Sequence, residues 1–333
     1  MEFNEFYKSE PMKYWMPPKE RHIELDIIEH PDKYSNYIGA EKKDGEWSRV
    51  MKNNGVVIIQ SRSVSKVTGE YGRKEQNLPQ LVELFKNLPD HTVLLGELYF
   101  EDLSKHSKDV GSILRCLKDK AISRQKDNPL HFYCFDVLMF NGEDLTSKGY
   151  AERIIYFPLV KNAIGDDKLV QYANIKTVDE IVKNYDGYLA AGGEGYVLYK
   201  KTMKYVPGKR TAWETIKLKK ATDEIELPVV DILWPTRIYT GKELDSWEYY
   251  EDDTPVTRRY ALGMANGIIV NNNGTLVSVT SGTTDEDATW LATPEAAEMI
   301  NNGQLYAKVQ AMEIEQGSGS MRHPSLVELR TDL

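Results

Sequence analysis

Apolar residues along the chain follow two rhythms, and the change from one to the other divides it. Residues 1 to about 35 are rich in proline and charge, with ELDIIEH (24–30) as the main apolar stretch, and predict an irregular lead with one short helix or strand. From Tyr37 a run reaches Val50. The dipeptide Asn54-Gly55 then precedes the β-branched run VVIIQS (56–61), which predicts a hairpin. Leu81, Leu84, Phe85 and Leu88 recur at spacings of three and four behind Pro79, so 78–88 predicts an amphipathic helix. TVLLGELYF (92–100), HFYCFDVLMF (131–140), GYVLYK (195–200) and TIKLKK (215–220) predict strands, the second closing on the turn pair Asn141-Gly142. Residues 149–190 have helical spacing. Strands alternating with helices in this way predict an α+β first domain. Beyond Lys220 the pattern changes to short strand-like runs between turn signals, including ELPVVDIL, GIIVNNNGTLVSVTSG and QLYAKVQAMEI. That predicts an all-β second domain, a small barrel or a sandwich, with domains spanning 1–222 and 223–333.

Composition narrows the class. The chain has 333 residues, 41% hydrophobic and 28% charged, a globular composition long enough for two cores. No run of about 18 apolar residues occurs and the start lacks a basic-then-apolar leader, so a membrane span or secretion is not expected. Two cysteines, Cys116 and Cys134, outside any Cys-x-x-Cys pair, read as reduced core thiols and fit a cytoplasmic setting. The six histidines show no metal-ligand spacing, which argues against structural zinc.

The net charge of −9 is uneven: residues 221–333 hold 7 Lys and Arg against 19 Asp and Glu, while the rest is slightly basic. Only the field at a binding face decides whether a polyanion is accepted, so total charge excludes nothing. Basic clusters such as KKTMKYVPGKR (200–210) and KLKK (217–220) suit phosphate chemistry or a solvated surface equally.

The sharpest local feature is Lys42-Lys43-Asp44-Gly45, because strand alternation puts Lys42 and Asp44 on one face. Alone it is a weak signal. It is followed, in order, by SRS (61–63), GEL (96–98), FYCFDV (132–137), GEGYVL (193–198) and KLK (217–219). With these six segments the chain resembles the covalent nucleotidyltransferase superfamily, and within it the small ATP-dependent DNA ligases of phage and viral type. FDVLMFNGEDL (135–145), YVPGKR (205–210), WETIKLKK, YTGKELDSWEY (239–249), VSVTSG (277–282) and RHPSLVELRTD (322–332) extend the resemblance over residues 38–333.

The resemblance implies an ATP-grasp-like nucleotidyltransferase (adenylation) domain followed by an all-β OB-fold barrel. It also implies an enzyme sealing 3′-OH/5′-phosphate nicks in duplex DNA, using ATP and Mg²⁺ or Mn²⁺ and acting as a monomer in a bacterial or phage-infected cytoplasm. On the matching positions, Lys42 is the nucleophile that takes AMP as a phosphoramidate. Its amine must become less basic, with Lys217, Lys219, Arg62 and a cation as sources of positive potential. Lys217 and Lys219 contact the α-phosphate, Phe135 stacks on adenine, and Glu97 and Glu194 serve the ribose hydroxyl and the metal, with Asp44 a further metal candidate. Arg322 and Arg330 belong to a terminal motif that orients the leaving pyrophosphate. Arg62, Arg49, Lys209, Arg210, Arg258 and Arg259 are the implied DNA contacts, gripping phosphates without regard to sequence.

Three positions depart from the family pattern. Trp47 replaces an arginine, and two readings stand: Arg49, on the same strand face, substitutes for it, or Trp47 packs on the substrate. Leu333 stands where the terminal motif carries lysine, and Ala40 where it carries an acid. Two alternatives stay in play: an RNA ligase or capping-type nucleotidyltransferase, which shares Lys42, Glu97, Glu194 and the lysine pair, and a catalytically silent nick-binding protein on the same scaffold, suggested by Trp47 and the lysine-less terminus.

Overall fold

The computed structural model describes the whole chain except residues 16–22, 66–67, 210–211, 220–223, 242–245, 312, 315–317 and 332–333. It divides into two compact units, Met1–Lys220 and Ala221–Leu333.

The first unit is built on two antiparallel sheets. The smaller contains β1 (Tyr37–Glu41), β9 (Lys176–Thr177), β10 (Gly195–Lys200) and β11 (Thr215–Lys219), in the order β11-β10-β1-β9. The larger contains β2 (Gly45–Asn53), β3 (Val56–Val64), β4 (Tyr71–Arg73), β5 (Thr92–Tyr99), β6 (His131–Phe140) and β7 (Glu143–Asp144) in the order β4-β3-β2-β5-β6-β7, with β8 (Val170–Tyr172) added parallel to β6. Asn54-Gly55 and Asn141-Gly142 close their hairpins as the sequence predicts. The predicted helix over 78–88 forms over Pro79–Phe85 and buries Leu81 and Phe85. The segment 149–190 holds the helices Tyr150–Arg153, Phe157–Ile164 and Val178–Ala190, and also the short strands β8 and β9 that its spacing did not reveal. Among its described residues the lead forms the α-helices Phe3–Lys8 and Ile23–Glu29.

Alternation along the smaller sheet separates two environments. Tyr37, Tyr196, Leu198, Ile216 and Leu218 pack with Ile181 and Tyr185 of the helix Val178–Ala190. Ile38, Ala40, Val197 and Tyr199 join the core of the larger sheet. The inner face thus looks across a cleft at β5 and β6, and Lys217, opposite Val197 in the ladder, shares it.

Gly45 shows why the tetrapeptide ends in glycine. It pairs with Tyr99, and a Cβ there runs into the Leu98 carbonyl, a backbone atom that cannot swing away. Gly45→Ala is expected to cost about 1–3 kcal/mol by overpacking, measured as a lowered urea midpoint. A loss under about 0.5 kcal/mol would show that the strand end yields.

The second unit is a five-stranded barrel with small hairpins. Its strands are β12 (Glu224–Leu233), β13 (Tyr250–Glu251), β14 (Thr254–Pro255), β15 (Gly267–Asn272), β16 (Thr275–Val279), β17 (Tyr306–Gln310), β18 (Glu313–Ile314), β19 (Met321–Arg322) and β20 (Ser325–Arg330). The main order is β16-β15-β12-β17-β20. The first half of β12 pairs with β17 and the second half with β15, while a parallel bridge between Ser281 and Ser325 brings the two sheet ends together. Closure of this kind separates a barrel from a sandwich. The architecture is that of a nucleotidyltransferase fold followed by an OB fold. The barrel interior is aliphatic, including Val229, Ile268, Val270, Val279, Ala307 and Val309. The all-β expectation is corrected by Asp285–Leu291 and Pro294–Asn301, two helices between β16 and β17. Thr284 accepts from the Asp287 amide in a capping box, and Thr293-Pro294 starts the second helix. Both signals are visible in the sequence but outweighed there by the surrounding strand pattern.

Candidate active site in the first unit

The nucleophile candidate emerges from the end of β1. The Lys42 amide donates to the Gly195 carbonyl at 2.8 Å, which carries the β1–β10 ladder one step past the strand and sets Lys42 beside Glu194. Gly195 has φ 128, and a side chain there would meet the Leu218 carbonyl, so β11 can approach closely enough for its lysines to reach the same carboxylate. Lys42 Nζ donates to Glu194 Oε2, and Lys219 Nζ lies 2.7 Å from Oε1. One carboxylate is thus shared by two ammonium groups, and both charges, with attendant hydrogen bonds, hold its pKa below the ordinary value despite burial.

Across the cleft, Glu97 of β5 sits opposite Trp47 of β2 and Tyr133 of β6. Burial pushes its carboxyl up to about 8, against the pull of Lys42 and Lys217 and with help from Glu194 and Asp44. Lys217 moves the other way, down to about 8, first through burial and then through Lys42, Lys219 and Arg62. Each of the two groups pays for its place in the cleft with stability. Glu97, raised above its unfolded value, contributes stability that is full below about pH 4.5 and lost as pH rises towards 8. Lys217, lowered, contributes stability present above about 10.5 and lost as pH falls towards 8. Glu97→Gln is accordingly expected to raise the melting temperature at pH 8.5 in chelator-treated buffer and to change it little at pH 4.5. Equal effects at both pH values would remove burial of this carboxyl as the cause.

Glu97 and Glu194 both face this cluster of lysines. Among the described residues no three His, Cys, Asp or Glu side chains converge into a cage. Mg²⁺ usually takes one or two carboxylates and completes its shell with phosphate and water. A carboxyl kept partly protonated by burial is one whose ionised form a divalent cation restores, so the donor set fits a cation shared with a phosphate. Asp44 lies 3.1 Å from His106 Nδ1, at the start of the helix Ser107–Leu114. Its spacing in the sequence gave no sign of this partner.

Phe135 is buried on β6 at a bulge: Leu95 pairs with Asp136 and Gly96 with Cys134, leaving Phe135 as the extra residue. Its carbonyl accepts from the Tyr150 hydroxyl at 2.8 Å. The next residue, Asp136, forms a fully buried bidentate pair with Arg153, at 2.8 and 2.9 Å. Arg62 is exposed on β3 and donates to the Met12 carbonyl at 3.4 Å. The first unit therefore gathers Lys42, Glu97, Glu194, Lys217 and Lys219 in one cluster, with Arg62 close enough to act on Lys217.

Other expectations fare differently. Arg49, expected at DNA, is completely buried: it donates to Gln60 Oε1 and to Ser9, and its guanidinium lies over the rings of Trp47 and Tyr71 at 5.9 and 5.6 Å. With that packing it is a structural residue, and Trp47 is its platform. Lys209 is exposed, and Arg210 lies outside the described residues, as does Leu333. In the second unit Arg258 makes a bidentate pair with Asp285, whereas Arg259 donates to the carbonyls of Asn266 and Thr283 at 2.7 Å and so ties loops together. Arg330 pairs with Glu226, and Arg322 lies on β19. Cys116 and Cys134 are free thiols. No helix among the described residues is long and apolar enough to cross a membrane.

Comparison with known proteins bears on this geometry. A family model described as the ATP dependent DNA ligase domain matches residues 26–219. The DNA ligase of Sulfolobus acidocaldarius is 28% identical over 205 residues, covering 57% of this chain and 32% of the relative. That of Archaeoglobus fulgidus is 27% identical over 199 residues, 58% and 34% respectively. The chain thus spans about a third of the length of these relatives. That of Methanococcus aeolicus reaches further, 22% identical over 308 residues, 87% of this chain and 50% of the relative. A solved structure from work on Lig E DNA ligases has the same fold, with a TM-score of 0.59 at 17% identity over 89% of this chain and 93% of that one. The family match covers more than half of the chain and every residue of the Lys42 cluster, so the chain belongs to the ATP-dependent DNA ligase domain family.

Proposed function

We propose that the chain is an ATP-dependent DNA ligase that seals 3′-OH/5′-phosphate nicks in duplex DNA, with an adenylation domain over 1–222 and an OB domain over 223–333. The observation that carries this reading is the convergence of Lys42, Lys219 and Glu194 with Lys217 and Glu97 in one cleft of the matched segment.

In the first step Lys42 Nζ, having lost its proton, attacks the α-phosphorus of ATP. The P–N bond forms as the bond to the β-phosphate oxygen breaks, and pyrophosphate leaves. Lys217 and Lys219 lie where negative charge builds on the α-phosphate oxygens. Glu97 accepts from the ribose, and Phe135 packs on adenine. Glu194 holds Lys42 before the nucleotide arrives. Glu194 and Glu97 would hold a divalent cation, which would neutralise charge on the phosphates. In the second step a 5′-phosphate oxygen of nicked DNA displaces Lys42 from the AMP phosphorus. In the third the 3′-OH attacks that 5′-phosphate, AMP departs, and the phosphodiester is complete. Arg322 and Arg330 act on the leaving pyrophosphate. Arg62, Lys209, Arg210 and Arg258 contact DNA phosphates, Arg258 only by leaving Asp285.

Nick sealing on matched DNA and RNA ends, alongside intact mass of the protein after ATP and Mg²⁺, tests the reading. A gain of one AMP with sealing of DNA ends supports it. AMP gain with RNA sealing alone supports the RNA ligase alternative. No gain with ATP, from protein not already adenylated, supports a silent binding protein.

A further inference from the structure

The lead at residues 1–15 precedes the matched family segment, yet it contacts both sheets of the first unit. On one side it is laced to the segment that enters β11. The Gly208 amide donates to the Glu10 carbonyl at 2.9 Å, the Lys13 amide to the Lys209 carbonyl at 3.0 Å, and the Trp15 amide to Thr215 Oγ1 at 3.2 Å. On the other side it meets the larger sheet. The Tyr7 carbonyl accepts from Gln60 at 3.1 Å, Ser9 Oγ from Arg49 at 2.9 Å and the Met12 carbonyl from Arg62 at 3.4 Å. Tyr14 lies between the two. Its ring meets Phe135 edge-on, with centroids 6.4 Å apart at 66°, and Tyr199 of β10 at 6.2 Å and 85°. Its hydroxyl is raised well above the usual phenol range, first by burial and then by Asp136 and Tyr205, and it feels the charges of Arg62 and Glu97.

The Tyr150 hydrogen bond holds the backbone of Phe135 and does not reach its ring. Tyr14 packs edge-on against that ring. We propose that Tyr14 is a nucleotide-positioning residue: the N-terminal lead is a wall of the ATP cleft, and its Tyr14 ring holds Phe135 at the angle that presents one ring face to adenine. The inference rests on reading the cleft as an ATP site. Lys42 and Lys219 reach Glu194, whereas the Tyr14 ring meets Phe135 and Tyr199, so Tyr14 acts on base binding rather than on the phosphoryl step.

The test is self-adenylation of the full chain, followed by intact mass, for Tyr14→Leu, Tyr14→His and Tyr14→Phe, each first shown to melt cooperatively. Tyr14→Leu is expected to raise KM for ATP about tenfold, within what stacking on one aromatic ring contributes, with kcat within about twofold. Tyr14→His is expected to raise KM about threefold, and Tyr14→Phe to behave as wild type. Inhibition by ADP should weaken in Tyr14→Leu while inhibition by inorganic tripolyphosphate stays unchanged, a split that a loosened fold does not produce. A wild-type KM in folded Tyr14→Leu or Tyr14→His overturns the proposal, as does a fall confined to kcat; should Tyr14→Leu not fold, Tyr14→His decides. A wild-type chain that never gains AMP overturns the ATP-site reading instead.

Discussion

Lys42→Ala is expected to abolish the gain of one AMP on incubation with ATP and Mg²⁺ and to lower nick sealing by at least about 10³-fold, or about 4 kcal/mol in barrier. The magnitude follows from how the neighbouring amines are engaged. Lys43 is held by Glu41 at 2.7 Å, with its ammonium over the rings of Tyr99 and Tyr133 at 5.4 and 5.2 Å. Lys219 is engaged with Glu194. Burial and neighbouring positive charge lower the pKa of Lys217 to about 8, so any residual AMP found on the variant should map to Lys217. The same variant should still join a nick that already carries AMP on its 5′-phosphate, because that step uses the 3′-OH as nucleophile. Wild-type AMP incorporation by Lys42→Ala would transfer the nucleophile to another residue. Loss of joining on the pre-adenylated nick would mean that Lys42 also serves the final step.

Arg153→Leu is expected to have the largest effect on stability, about 3–5 kcal/mol. Arg153 and Asp136 are 0% and 3% exposed, and besides the two bonds to Asp136 the guanidinium donates to the carbonyls of Lys148 and Met203 at 2.7 and 2.8 Å. Removing it strands a buried carboxylate and leaves two carbonyls without their donor. A protein of ordinary stability holds about 5–15 kcal/mol in total, so much of the margin is lost. Replacing Asp136 by leucine as well should recover part of the loss, since the charge goes with its partner. Urea unfolding of the two single variants and the double variant measures this directly. A shift under about 1 kcal/mol for Arg153→Leu would mean that water or a local rearrangement satisfies Asp136.

Much of the first unit was legible because its strands are long, β-branched and bounded by Asn-Gly turns, and because the motifs stand in order along them. Strand alternation alone placed Lys217 and Lys219 on one face, and both reach the Lys42 cluster. What stayed hidden depends on contacts between distant segments. Arg49 looked like a phosphate ligand because it lies on the face of Trp47, but its burial is decided by Ser9 in the lead and Gln60 on β3. His106 meets Asp44 only through the placement of a helix 62 residues away. The lead itself looked irregular, since its order comes from hydrogen bonds to residues 205–215 and the larger sheet and has no apolar period of its own. In the second unit the helix starts at Thr284 and Thr293 were readable, but the surrounding β pattern carried more weight.

The pairing of β5 with β6 has a consequence for how the gene can vary. Between Val93 and Glu97 the partner strand runs from Met139 to Tyr133, so β6 carries two surplus residues, Phe135 and Leu138, one at each register shift. Each surplus residue reverses the inward and outward alternation beyond it, and the second cancels the first. Only the short stretch between them, Asp136 and Val137, runs out of step with both flanks, and that stretch brings the carboxylate to Arg153. Insertions or deletions of a single codon anywhere in 133–139 would break this parity and turn half of a buried strand inside out. Point substitutions there are graded in effect, whereas changes of length are all or none.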